Sequence, residues 1–267
     1  MQNKKNILII IIIIVAVSSS FFIGKKSAVT RASSAHDNEL KTLQEKYEPE
    51  NTKKLRDCRP GVNSKHTNFV VGYGSLMNKN SRKITVPEAE YASPVLVKNF
   101  ERIWASRGQK SGATFLLAIP NEGYVMNAIY YKAKANDIVA TDLREASYCR
   151  VKIPSKDLLP LGVKSLPKGD YWMYAKEFSD AEFPTRDFPI LQTYADVFMT
   201  GCLQTQADFN LTEFGQLCFN TTYNWDLANW LNDRTKPQYA RYSKITEKYR
   251  PQIDGIIHRL SYDDDPL

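Results

Sequence analysis

Hydrophobic and polar positions divide this 267-residue chain into three stretches. The first is an uncharged run from Ile7 to Gly24 (ILIIIIIIVAVSSSFFIG), with Lys4 and Lys5 before it and Lys25 and Lys26 after it. At ~1.5 Å per residue such a run spans roughly 27 Å as a helix, just enough for a bilayer core. It predicts a transmembrane or signal-anchor helix within residues 1–24. An uncleaved anchor is preferred to a cleaved signal peptide, because the small-residue cluster Ala32-Ser33-Ser34-Ala35 lies well downstream of the apolar core. Lysines flank the run almost equally, so the short charged N-terminal tail is what tips the orientation, towards a domain outside the cytoplasm. Residues 25–66 are dominated by Lys, Glu, Asn and Ser and read as a polar stalk. Asn38 to Tyr47 has helix-forming composition, and Pro49 would stop that helix.

The third stretch carries the folded pattern. Phe69-Val70-Val71 is a short apolar run that breaks at Gly72-Tyr73-Gly74-Ser75, as a buried strand ending in a glycine turn would. Pro94 to Val97 and Arg102 to Trp104 predict further strand. Ala113 to Ile119 and Tyr124 to Tyr131 flank the turn signal Pro120-Asn121-Glu122-Gly123, which predicts a hairpin with a four-residue connection. Asn136 to Arg144 predicts a short helix capped by Asn136. Tyr148 to Ile153 and Gly169 to Glu177 predict strands. From Ile190 to Leu203, apolar residues at 190, 191, 194, 195, 198, 199, 202 and 203 follow a helical period. Strands early and helices late predict an α+β fold with a curved mixed sheet.

Composition changes this picture little. Apolar residues make up 43 % and charged residues 24 %, enough to bury a core. The net charge of +7 does change it, through its distribution: residues 1–66 hold 12 Lys/Arg against 6 Asp/Glu, and residues 67–267 hold 24 against 23. The excess lies on the leader and stalk, as suits a membrane-proximal segment, and not on the folded part, as nucleic-acid binding would require. No nucleic-acid partner is expected. Cys58, Cys149, Cys202 and Cys218 form no CxxC pair, and His36, His66 and His258 are scattered, so no metal and no cofactor is expected. An even cysteine count permits disulfides without fixing their pairing.

Two clusters carry candidate chemistry. In Gly72-Tyr73-Gly74-Ser75-Leu76, the positions around Ser75 lack the glycines of a nucleophile elbow, Met77 replaces the third glycine of a dinucleotide fingerprint, and no Walker lysine follows. What remains is a turn that can present backbone N–H groups to an oxygen, or a turn with a structural role alone. The second cluster, Asp142 to Arg150, places five polar or charged groups at a helix-to-strand junction; its plainest reading is a solvated turn with surface ion pairs.

Together, VVGYGSL and, some 70 residues on, D-x-R-E-x-x-Y-x-R-V resemble the γ-glutamylcyclotransferase-like family. LLAIPNEGYVMNAIYY is similar to that family's hairpin and PILQTYADVFMTGC to its C-terminal helix, so the resemblance covers roughly Phe69 to Leu203. It implies a small mixed β-barrel-like sheet with flanking helices over residues 67–204. The remaining residues, 205–267, become an aromatic-rich extension packed on the domain or over its mouth. It implies a γ-glutamyl substrate held by Tyr73, Gly74, Ser75 and Leu76, with Tyr148 and Tyr194 lining the pocket and Glu145 as acid/base. The expected products are 5-oxoproline and an amine or peptide. Ala146 and Ser147 depart from the family's usual glycine after the glutamate. A non-catalytic γ-glutamyl- or peptide-binding module and, more remotely, a hydrolase using Cys149 with His66 or His258 are the competing readings.

Overall fold

In the computed structural model, Leu55 and residues 58–257 are described. The predicted anchor and the stalk helix at 38–47 lie outside the described residues. Among those described, no helix is long and apolar enough to cross a membrane.

Strand β1 (Asn68–Gly72) is buried at every position. It pairs antiparallel with β3 (Ala113–Ala133) and parallel with β6 (Asp170–Ala175). A strand paired on both sides and covered on both faces needs a continuous apolar run, which Phe69-Val70-Val71 supplies. Beyond β6 lies β4 (Cys149–Ile153), and beyond β3 lie β2 (Ser93–Gly108) and β5 (Leu158–Pro160), giving the order β4-β6-β1-β3-β2-β5. Two-residue strands extend this sheet: β7 (Ile190–Leu191) on β3, β8 (Thr222–Tyr223) on β2 and β9 (Trp230–Leu231) on β7. Helices α1 (Lys79–Lys83), α2 (Ala135–Arg144), α3 (Gln192–Asp208), α4 (Phe214–Asn220), α5 (Lys244–Glu247) and α6 (Arg250–Ile257) complete an α+β fold with a mixed sheet.

Four expectations need correction. The hairpin within residues 113–131 does not form: β3 runs through it as one 21-residue strand, and the chain reverses between β2 and β3 instead. The Pro120–Gly123 turn signal makes a bulge, because Lys98 pairs with Val125 and Phe100 with Pro120, leaving Asn99 opposite residues 121–124. Asn99 (φ 63°) and Gly123 (φ 85°) take the left-handed conformations that the bulge needs. The expected barrel is, among the described residues, an open ladder ending at β4 and β5. β5 is three residues long and ends in Pro160, which has no N–H to donate onward. The helix cap is Lys134, whose N–H donates to the Asp137 carboxylate at 2.7 Å, and not Asn136. Finally, Ile190 and Leu191 are strand, and α3 begins at Gln192 because Ile190 is already paired with Thr114 and Trp230.

Helix α3 is buried without a gap from Gln192 to Leu203, and the division expected at residue 204 falls inside it. The chain beyond it belongs to the same sheet through β8 and is joined to α3 by the Cys202–Cys218 disulfide. Gly201 lets α3 lie backbone to backbone on residues 77 and 78: a Cβ there would sit 2.4 Å from the Met77 carbonyl carbon and the Asn78 nitrogen.

One buried cation ties these parts together. Arg102 of β2 is fully buried and donates to Tyr73 O, Asn127 O, Asn127 Oδ1, Cys218 O, Thr221 Oγ1 and Thr222 Oγ1, at 2.6–3.1 Å. Its guanidinium also lies over the Phe198 ring at 4.8 Å. All its protein partners are neutral oxygens, so removing it strands several buried acceptors at once. Arg102→Ala is expected to cost roughly 3–5 kcal/mol in urea unfolding. Arg102→Lys should recover little of that, because a single ammonium cannot reproduce the planar fork.

Candidate active site

The site starts where β1 ends. Gly72 lets the chain fold back sharply, since a Cβ there would lie 2.6 Å from Leu76 Cβ. A 3₁₀ turn follows over Ser75–Met77, and its first internal bond runs from Met77 N–H to Gly74 O at 2.9 Å. The N–H groups of Gly74, Ser75 and Leu76 precede that bond and have no partner within the turn, as at any helix start.

The second part arrives from the end of α2. Glu145 is the C-cap residue, with its N–H donating to Thr141 O at 2.9 Å. The exposed carbonyls of this terminus are gathered by Arg59, whose Nη2 lies 3.1–3.3 Å from the carbonyl oxygens of Asp142, Glu145, Ala146 and Tyr148. A cation there suits the negative end of a helix. The neighbouring Cys58 is disulfide-bonded to Cys149, pinning the segment to the start of β4. That bond also corrects the cysteine-hydrolase reading, since the Cys149 sulfur is no longer a thiolate nucleophile.

Arg144 joins the two parts. Its Nε pairs with Glu145 Oε1 at 3.0 Å; Nη2 donates to Ser75 Oγ at 2.9 Å and Ser81 Oγ at 3.0 Å; Nη1 donates to Ser81 O and Thr85 Oγ1. The solvated-turn reading of this cluster therefore fails: the side chains of Arg144 and Arg150 are only 4 % and 5 % exposed. Arg150 is bound to Asp142, which also accepts from the Tyr174 hydroxyl at 2.7 Å.

The two parts face one cavity of about 190 Å³. Each residue singled out in the sequence lines it: Tyr73, Gly74, Ser75 and Leu76 from the turn, Glu145 and Tyr148 from the α2–β4 connection, and Tyr194 from α3. The tyrosines are fixed by backbone: Tyr73 OH donates to Tyr174 O (2.6 Å), Tyr148 OH donates to Leu116 O (3.1 Å), and Tyr194 OH accepts from Leu116 N–H (3.4 Å). A Cβ on Gly74 would come within 3.0 Å of the Tyr194 hydroxyl, so the turn and α3 meet directly at the cavity wall.

Sequence reasoning missed part of the wall. Tyr239 and Arg241 reach the cavity from the C-terminal extension. Asp233 delivers them: its carboxylate accepts from Thr193 N–H (2.8 Å) and Thr193 Oγ1 (2.5 Å) at the start of α3, and from Gln238 N–H (2.9 Å). Arg234 forks onto Asp196 of α3 and onto Asp254 of α6. Tyr239 then packs edge-on against Tyr194 with ring centroids 4.9 Å apart. The aromatic run in the extension signalled contact with the domain, but nothing in it marked Arg241.

Burial governs the electrostatics. It pushes the Glu145 carboxyl above its ordinary value, while Arg144 and Arg241 pull the other way without overcoming it. Burial, reinforced by Glu145, also raises Tyr73 and Tyr148, and burial together with Tyr239 raises Tyr194, so all three phenols stay protonated at neutral pH. The cavity thus offers one titratable carboxylate beside phenols that stay neutral. Among the described residues no group of three or more His, Cys, Asp or Glu could hold a metal ion.

No family model matches the chain, and no curated protein matches it. Solved structures do. The chain is similar to an uncharacterized human protein at 13 % identity over 68 % of this chain and 97 % of that one, with a TM-score of 0.48. It is similar to a γ-glutamyl cyclotransferase at 12 % identity over 70 % and 99 %, again at 0.48. A yeast γ-glutamyl cyclotransferase specific to glutathione aligns at 13 % identity over 59 % and 98 %, at 0.35. Two of these three are γ-glutamyl cyclotransferases. Likeness of this extent leaves activity and substrate to be argued from the cavity itself.

The raised carboxyl has a sign that stability can test. With the folded value above the unfolded one, the native state binds more protons in between, so Glu145 lowers stability as pH rises from about 4.3 through its folded value. The melting temperature of Glu145→Gln relative to the unmodified chain should therefore be more favourable at pH 8 than at pH 4. Equal differences at the two pH values would count against a raised carboxyl.

Proposed function

We propose that the domain is a γ-glutamyl cyclotransferase, closing the γ-glutamyl group of its substrate to 5-oxoproline and releasing an amine or peptide. The observation that carries this reading is the convergence of one carboxylate of raised pKa, Glu145, with the turn residues Gly74, Ser75 and Leu76 on one cavity. Nucleophile and electrophile belong to the same molecule, so holding the substrate folded can supply about 7–11 kcal/mol of the barrier. Glu145 takes a proton from the substrate's α-ammonium. The freed amine attacks the γ-carbonyl carbon, and the oxyanion is held by backbone N–H groups, each worth ~3 kcal/mol. Glu145 then passes that proton to the leaving nitrogen as the original amide bond breaks, and its restored carboxylate takes the second proton from the attacking nitrogen, now in the ring, and releases it to the departing amine or to water. A carboxylate whose burial strengthens its hold on a proton suits both steps. Tyr73, Tyr148 and Tyr194, protonated and fixed, shape the pocket for the chain of the glutamyl group.

A second reading, a γ-glutamyl- or peptide-binding module without turnover, shares the cavity and is separated by one experiment. The full chain is incubated with a panel of γ-glutamyl dipeptides, γ-glutamylamines and glutathione, and 5-oxoproline is followed by chromatography. Release from at least one compound is expected, reduced by ~10²–10⁴-fold in Glu145→Gln. The acidic limb of kcat/KM should lie above the ordinary glutamate value of about 4.3. Tight ligand binding with no release, or undiminished release by Glu145→Gln, contradicts the proposal.

We further propose that the domain works outside the cytoplasm, tethered by the N-terminal apolar run. The pairings Cys58–Cys149 and Cys202–Cys218, which leave no free cysteine among the described residues, support an oxidising compartment. Thiol titration of the unreduced, denatured chain is expected to find no free thiol. Four free thiols would argue for a reducing compartment.

A further inference from the structure

The cavity wall carries three arginines among its described residues: Arg107, Arg144 and Arg241. Two are committed to protein. Arg144 is used on all three nitrogens, by Glu145, Ser75, Ser81 and Thr85. Arg107 donates from Nε to Phe183 O at 2.8 Å and stacks over the Phe188 ring. Arg241 differs. Its Nε is sealed from solvent and has no hydrogen-bond partner among the described residues. Its charge is nonetheless felt at Glu145. Buried guanidinium donors are ordinarily paired, and a guanidinium that lines a cavity without such a pairing is available to an anionic ligand.

The fold invests in placing it. Asp233 caps the start of α3 and accepts from Gln238, and Arg234 clasps Asp196 and Asp254, so the turn carrying Tyr239 and Arg241 is held on both sides. The segment could have covered the cavity with an apolar side chain. A partly buried cation with a free donor is costly for mere cover.

We propose that Arg241 is the binding residue for the α-carboxylate of the substrate's γ-glutamyl group. This rests on the reading of Glu145 as the base for the α-amine, and the geometry then follows from covalent structure. The α-amine and the α-carboxylate share one carbon, with bonds of ~1.5 Å each. If the amine reaches Glu145, the carboxylate lies beside it, and a second anion next to Glu145 needs a counter-charge. Arg241 lines the same cavity as Glu145, and a guanidinium can grip a carboxylate through two parallel bonds. The carboxylate of a leaving amino acid is the other source of the same chemistry. It is attached to the far side of the scissile amide, away from the amine that Glu145 must meet.

The test uses the full chain and two γ-glutamyl anilides, one with a free α-carboxylate and one with an α-carboxamide; neither has a carboxylate on its leaving half. The unmodified chain is expected to prefer the acid by at least about 100-fold in kcat/KM, mostly through KM. Arg241→Gln should bring that ratio to within a few-fold of one, and Arg241→Lys should restore part of it. A general loss of activity with the ratio intact would mean that Arg241 is structural, and would overturn the proposal. So would a preference that Arg241→Gln removes only for γ-glutamyl dipeptides, since that places the guanidinium on the leaving half. Calorimetric titration with 5-oxoproline and with its carboxamide separates this proposal from the catalytic one. Selective binding of the acid that Arg241→Gln abolishes, in a chain with no turnover, supports the carboxylate site while the cyclotransferase reading falls. Turnover without any preference for the acid leaves the cyclotransferase reading and removes Arg241 from it.

Discussion

The guanidinium of Arg144 is where two distant segments of this chain become one site. Through one planar group it holds Glu145 at its own end of α2 and Ser75 in the turn after β1, with Ser81 and Thr85 fixing the far side. Two consequences follow from the same contacts. The loop is set against the carboxylate without any covalent link, and the cation is shared among several oxygens. Burial of Glu145 therefore prevails over the opposing pull of Arg144 and Arg241. The tie that positions the carboxyl therefore leaves it above its ordinary value, as the proposed proton transfer asks.

The rest of the molecule supports that tie from behind. Arg102 anchors the carbonyl of Tyr73 to β3 and to the end of α4, so the turn cannot swing away from the sheet. Arg59 and the Cys58–Cys149 bond do the same for the segment after α2. On the third side the C-terminal extension is no appendage: it supplies a strand to β2, caps α3 through Asp233 and closes the cavity with Tyr239 and Arg241. Polar contacts that look scattered along the chain thus converge on holding one small space in one shape.

What could be read from residues alone divides along physical lines. Contiguous signals were legible: Phe69-Val70-Val71 as a buried strand, 190–203 as a helix (its first two residues turned out to be strand) and the glycine turn at 72–75 all depend on local pattern. The Pro120–Gly123 signal misled because turn residues also build bulges, and only the partner strand decides between reversal and continuation. The cap at Lys134 was hidden because its stabilising group is the Asp137 side chain rather than its own. At the site, each residue expected from the motifs lines the cavity, since a short motif constrains chemistry and spacing together. Arg59, Arg144 as a bridge, and Arg241 were not legible. Their meaning lies in contacts across 59–89 residues or in the absence of a partner, and neither leaves a trace in local sequence.

The most direct measurement of the central claim is a backbone amide NMR titration of the isotopically labelled protein with 5-oxoproline, reading which N–H groups meet the ligand's oxygens. The expected result is that the largest shifts fall on Gly74, Ser75 and Leu76 together with Glu145, saturating with a single affinity, while amides of β4 and β5 stay in place. Saturating shifts that map elsewhere and leave the 74–76 amides unmoved would contradict the shared cavity as the place where a γ-glutamyl group is held.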